Sequence, residues 1–277
     1  MNAPIKTTRH GIPGYFALAD LPQRRPLSQS VLGTGWEELD KIFKIYPSQF
    51  VVVTGNAGSG KSTFLFNLII NLAWHHKFRS WLYAPENELN LFHKMEKIFG
   101  DKKDGSLFGQ FSHTQCFVQS SDYKYWEDQP REIGWILGRA YDAWQKDKIN
   151  LVMIDPWNEL ERAKGKDELL TDYIGNCLMR VKMFAKETGC VVLMVAHPTK
   201  AANGREVTLG DIEGSLAWFN KCDNGLIVRR EAGSLDAMVA SMKVRESPEA
   251  GRVGHCVFLV DAETGVFTQQ VNGGQAL

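Results

Sequence analysis

The stretch that decides the fold is "FVVVTGNAGSGKSTFLFNLIINLAWHH", Phe50–His76. Its first residues form an apolar run suited to a buried strand, and the residues from Ser62 onward read as a helix. Between them "GNAGSGKS", Gly55–Ser62, matches G-x-x-x-x-G-K-[ST] in the strand-to-helix context that gives this pattern its physical meaning. Glycines at 55, 58 and 60 let the backbone curl so that successive N–H groups and the start of the helix face phosphate oxygens. The expected cradle is Gly55, Asn56, Ala57, Gly58, Ser59, Gly60, Lys61, Ser62 and Thr63, with ATP as the nucleotide. Lys61 is expected against the β- and γ-phosphates, and the Ser62 hydroxyl on Mg2+. The competing reading is an accidental glycine-rich turn, which the flanking strand and helix and a second acid further on outweigh.

That second acid lies in "LVMIDPWNELER", Leu151–Arg162, an apolar strand ending in Asp155. Asp155 is expected to hold the same Mg2+ as Ser62. Pro156 stands where many ATPases place a catalytic glutamate, so a base must come from elsewhere. Glu159 lies beyond Pro156, which favours a turn that carries the chain away. Glu86, in "WLYAPENE", is favoured because it ends a strand expected to neighbour the phosphate loop, and ligands bind at the carboxyl ends of parallel strands. Helix capping is its plainer role. His197, in "MVAHPTK", ends another strand at the same edge and is a candidate γ-phosphate contact; alone, it reads as a satisfied structural histidine. The long polar segment after it, "PTKAANGREVTLGD", suits an effector loop.

Further out, the apolar runs "FVVVTG", "SWLYAPE", "FVQSS", "LVMID" and "CVVLMVAH" alternate with helical segments, so a mostly parallel α/β sheet is predicted. Leu169, Leu170, Tyr173, Ile174, Cys177, Leu178, Val181 and Phe184 recur at helical spacing and are read as core. After about Asn224, "NGLIVRRE", "DAMVASMKVRE" and "GHCVFLVDAETG" follow through short links and predict antiparallel strands at the sheet edge. Residues 1–32 are rich in proline and basic residues and read as an extended arm or linker ahead of a domain over 33–277, with "GTGWEELDKIF" as a short helix.

A hydrophobic content of 44% supports a sizeable core. No run reaches membrane-spanning length and no apolar signal core opens the chain, so a cytoplasmic protein without membrane contact is expected. Thirty-two basic residues balance thirty-two acidic ones, so any polyanion site must be local. The five cysteines show no metal or CxxC spacing and read as reduced packing residues.

Taken together, "GTGWEELD", "GNAGSGKS", "YAPENE", "IDPWNELE", "VAHPTK", "DIEGSLAWFNKCDNG" and "MKVRE" with "GRVG" resemble, in order and spacing, the helicase domain of Twinkle-like and phage T7-type primase-helicases. These belong to the DnaB-like, RecA-fold ring helicases of superfamily 4. The resemblance runs over roughly residues 30 to 268. It implies a RecA-like P-loop NTPase that couples ATP hydrolysis to movement on single-stranded DNA in replication, as a homo-oligomer closing into a hexameric ring. By position it makes Glu86 the catalytic glutamate and His197 the γ-phosphate sensor. It makes Lys200 and Arg205 DNA contacts, and Arg245 and Lys243 the finger residues that reach a neighbour's γ-phosphate. Both of these lie on one face of a strand if "MVASMKVRE" is extended. No primase-like or zinc-binding segment is read ahead of residue 33, so a primase or polymerase is expected as a separate partner. The competing function is a nucleotide-dependent DNA-binding or helicase-loader module that unwinds little by itself; a recombinase fits the motifs less well.

Overall fold

The central apolar runs become strands buried on both faces, sending alternate side chains into one of two layers. The computed structural model describes residues 26–100, 105–120, 131–199 and 206–270. The strands are β1 (Phe50–Thr54), β2 (Ser80–Tyr83), β3 (Cys116–Val118), β4 (Leu151–Ile154), β5 (Val191–Val195), β6 (Asn224–Arg230), β7 (Asp236–Val244), β8 (Gly254–Val260) and β9 (Phe267–Gln269). They form one sheet in the order β3-β2-β4-β5-β1-β6-β7-β8-β9. The helices are α1 (Glu37–Asp40), α2 (Lys61–His76), α3 (Leu91–Phe99), α4 (Ser106–Thr114), α5 (Ile133–Asp147), α6 (Leu170–Thr188) and α7 (Ser215–Lys221). Val51 and Val53 join Phe64, Leu65 and Leu68 of α2 in one layer. Phe50 and Val52 join Ile174, Leu178 and Val181 of α6 in the other. Helix α2 ends where Lys77 turns left-handed (φ 59) and its N–H bonds the Ala73 carbonyl at 3.0 Å.

The predicted strand–helix alternation is realised, with four differences. First, β6 runs parallel to β1, and antiparallel pairing begins only at β7. Second, a further short strand, β9, pairs with β8. Third, "GTGWEELDKIF" yields only the single-turn α1, because Asp40 folds back to accept from the Thr34 N–H at 2.6 Å and hydroxyl at 2.7 Å. Fourth, Leu169 precedes α6 and is 68% exposed, so the core stripe starts one residue later. The cysteines among the described residues are free, and no described helix is long and apolar enough to cross a membrane. Residues 1–25 of the expected arm, and Lys200 and Arg205 of the expected DNA loop, lie outside the described residues.

Candidate nucleotide-binding site

The site is built where the carboxyl ends of β1, β5 and β4 stand level. Val53 pairs with Val195, and Ile154 with Met194, so the loops after all three strands leave the sheet at one height. The Thr54 hydroxyl donates to the Ala196 carbonyl at 2.7 Å, fastening the root of the glycine loop to the strand that carries His197. Gly55 takes φ 146, and a Cβ there would run into the backbone carbonyl of Val228 on β6. Only glycine lets the loop leave β1 this close to its neighbour. Lys61 opens α2, and its ammonium donates to the carbonyls of Gly55 at 3.0 Å and Asn56 at 2.8 Å. Burial holds the Lys61 amine below its ordinary pKa, opposed by Asp155 and then Glu86.

Asp155 follows β4 and is 1% exposed. Burial pushes its carboxyl up to about 6, opposed first by a hydrogen bond with Ser62 and more weakly by Lys61 and Lys94. Its Oδ2 is buried with no hydrogen-bond partner. A buried carboxylate oxygen without a donor, next to a serine hydroxyl, is a hard oxygen pair suited to a divalent cation. Asp155 and Ser62 therefore fit the Mg2+ that the sequence implies.

Glu86 lies in the exposed turn after β2. The expectation that β2 neighbours the phosphate loop is wrong: β4 and β5 separate it from β1. The chain skips those two positions after α2, and later strands fill them. Glu86 nevertheless shares the field of the site, because the turn carries it beyond the end of β2; its charge acts on Lys61, Asp155 and His197. The alternative base, Glu159, ends a short 3-10 turn after Pro156 and acts on His197 and Tyr83. His197 is half-buried, and burial, then Lys61, lowers its pKa, so its ring is neutral at neutral pH.

Two contributors were not found from the sequence. The backbone N–H of His197 donates to the Asn158 side chain at 2.9 Å, fixing the turn after β5. Asn158 stands in the quoted "IDPWNELE", yet no motif marks it. Lys94 on α3 acts on Asp155 and donates to Asn87 at 2.7 Å, and only the packing of α3 brings it there.

Arg245 and Lys243 do not join this group. Val244 pairs with Asn224, which pairs with Val51 near the start of β1, whereas the glycine loop follows its other end. With about 3.3 Å per strand residue, the two ends of β1 are at least ~13 Å apart. Arg245 instead meets the carboxylate of Asp223 at 2.8 Å, and the Lys243 ammonium caps the Phe219 carbonyl and lies 4.9 Å from the centre of the Phe219 ring.

A glycine loop between the central strand and α2, with a cation-competent acid two strands away, defines a RecA-like P-loop NTPase core. No protein-family model matches the chain. The Twinkle homolog protein, chloroplastic/mitochondrial, of Arabidopsis thaliana is 29% identical over 260 residues, covering 86% of this chain and 36% of that protein. Replicative DNA helicase DnaB of Rickettsia felis is 24% identical over 286 residues, covering 91% of this chain and 54% of that protein. The chain thus spans roughly a third to a half of the length of these curated relatives. Among solved structures, a DnaB-like replicative helicase described with its interactions with primase superposes with a TM-score of 0.66 at 20% identity, covering 85% of this chain and 62% of that one. A solved ATPase domain superposes with a TM-score of 0.71 at 19% identity, covering 86% of this chain and 91% of that one. In sequence the chain is thus similar to Twinkle-type and DnaB-type helicases, and it shares the fold of a DnaB-like helicase structure and of a solved ATPase domain.

Proposed function

We propose that this chain is the ATP-hydrolysing motor of a DnaB/Twinkle-like ring helicase acting on single-stranded DNA in replication, in the cytoplasm, with residues 1–32 as an arm ahead of the motor domain. The observation that carries the reading is a division of the catalytic groups. Lys61, Asp155, Glu86 and His197 share one end of the sheet, while Arg245 sits beyond the other end of β1. A triphosphate in the glycine loop is out of reach of its own Arg245. A second copy, docked with the turn that follows its β7 against the first copy's loop, would supply it, which suits a hexameric ring.

In this mechanism the amides of Gly55–Thr63 and the Lys61 ammonium bind the β- and γ-phosphates. Ser62 and Asp155 would hold Mg2+, which would neutralise charge on the phosphate oxygens. Glu86 orients the attacking water and accepts its proton. The neutral His197 ring donates to the γ-phosphate without adding charge. The neighbour's Arg245, with Lys243 beside it, offsets the charge of the transferring phosphoryl group, an effect worth about 10³ to 10⁵ in rate by precedent. Lys200 and Arg205 contact the DNA backbone, and a separate primase or polymerase completes the assembly.

The test is ATPase activity with and without single-stranded DNA, beside nucleotide binding. Lys61→Ala should lose binding and turnover. Glu86→Gln should bind nucleotide and lose about 10² or more in kcat. Arg245→Ala should bind nucleotide and lose about 10³. Wild-type turnover in Arg245→Ala, or an unchanged rate per chain at dilutions that favour monomers, would refute the shared site. Turnover without strand displacement would favour the loader-type module instead.

A further inference from the structure

Outside the nucleotide site, Lys182, Asp223 and Arg245 gather in a charged cluster at the foot of β1. Asp223, between α7 and β6, is 7% exposed, and every contact of its carboxylate is charged or structural. Its Oδ1 meets the Lys182 ammonium at 2.6 Å and Nε of Arg245 at 2.8 Å. Its Oδ2 accepts from the backbone N–H of Phe50, the first residue of β1, at 3.0 Å. The Arg245 guanidinium is further fixed through Nη2, which donates to the carbonyls of Asn220 at 3.0 Å and Cys222 at 3.1 Å. Its Nη1 has no hydrogen bond among the described residues, and the side chain is still 41% exposed.

A planar guanidinium held by Nε and one terminal nitrogen keeps a single orientation, with its second terminal nitrogen available for an incoming anion. Lys182 alone does not neutralise the role. Two cations share one buried oxygen, so without the carboxylate they would repel each other, and the more exposed Arg245 would swing away. The Tyr46 phenol, buried nearby with no hydrogen-bond partner, adds no charge, because burial and then the neighbouring Asp223 and Glu246 raise its pKa.

We propose that Asp223 is the positioning residue of Arg245: by gripping Nε from below, it presents the remaining face of the guanidinium to the triphosphate of the adjacent copy. This rests on the shared-site reading above. Asp223 touches neither nucleotide nor water; it acts through Arg245. Because the same carboxylate holds the first N–H of β1, the finger is anchored to the start of the strand whose far end leads into its own subunit's phosphate loop.

The experiment is a double-mutant cycle on the full chain, assembled with ATP, Mg2+ and single-stranded DNA, reading kcat, nucleotide Kd and thermal midpoint. Asp223→Asn should lower kcat about 10- to 100-fold, the scale of a misplaced catalytic group, with nucleotide Kd unchanged. Asp223→Glu, which keeps the charge, should recover part of that loss. In an Arg245→Ala background, Asp223→Asn should cost nothing further in kcat. If the two losses multiply, or if Asp223→Asn keeps wild-type kcat while Arg245→Ala does not, the positioning role is wrong. If Arg245→Ala itself keeps wild-type kcat, the shared-site reading fails instead. Should Asp223→Asn not fold, Asp223→Glu goes through the same cycle: a smaller loss that vanishes on Arg245→Ala supports the role, and an additive loss overturns it.

Discussion

The glycine loop gives the sharpest quantitative test, because two of its glycines differ in what surrounds them. At Gly55 an alanine must adopt φ 146 while its methyl meets the Val228 carbonyl of β6 and approaches the Ser59 hydroxyl at 3.0 Å. The backbone conformation alone costs ~1–3 kcal/mol, and the overlap with a fixed carbonyl adds ~1–3 kcal/mol by forcing β1 and β6 apart. At Gly58 the backbone is left-handed (φ 73), but nothing lies within 4 Å of a new Cβ, so alanine should cost only ~1–2 kcal/mol. For a chain of this size, ~1 kcal/mol moves Tm by about 2–4 °C. Gly55→Ala should therefore lower Tm by about 5–20 °C and abolish nucleotide binding. Gly58→Ala should lower Tm by at most about 8 °C. Both are measured by calorimetry and by titration with a fluorescent nucleotide. If Gly58→Ala proves the more damaging, or Gly55→Ala is neutral, the close approach of the loop to β6 is wrong.

Three other outcomes are expected. Burial raises the Asp155 carboxyl from 3.8 to about 6, so the folded state binds its proton more tightly than the unfolded chain does. Metal-free stability should then fall as pH rises from about 4 through 6, by ~3 kcal/mol in all, and Asp155→Asn should flatten that slope in urea titrations; equal slopes would refute it. Trp218 is fully buried, donates its indole N–H to the Glu213 carbonyl at 2.7 Å and meets Trp157 edge to face, so Trp218→Ala should cost ~3–5 kcal/mol in denaturant unfolding. Asn158→Ala removes the acceptor of the His197 N–H and should lower kcat several-fold with little change in Tm; an unchanged rate would show that the turn holds itself.

The sequence by itself determined the repeating strand–helix frame, the phosphate loop and the acid that accompanies it. These are local signals: a run of apolar residues, a glycine spacing and a strand end depend on neighbours in the chain. Tertiary structure alone decided the rest, because strand order depends on which edges pair. It put β4 and β5 between β1 and β2, so Glu86 reaches the site by an extended turn and not by adjacency. It also turned β6 parallel to β1, set the Asn158 side chain on the turn after β5, brought Lys94 to the site from α3, and placed Arg245 on a buried carboxylate beyond the far end of β1. No spacing rule encodes that last contact, since Asp223 and Arg245 meet only when β6 and β7 fold back on each other at the register their bulge sets.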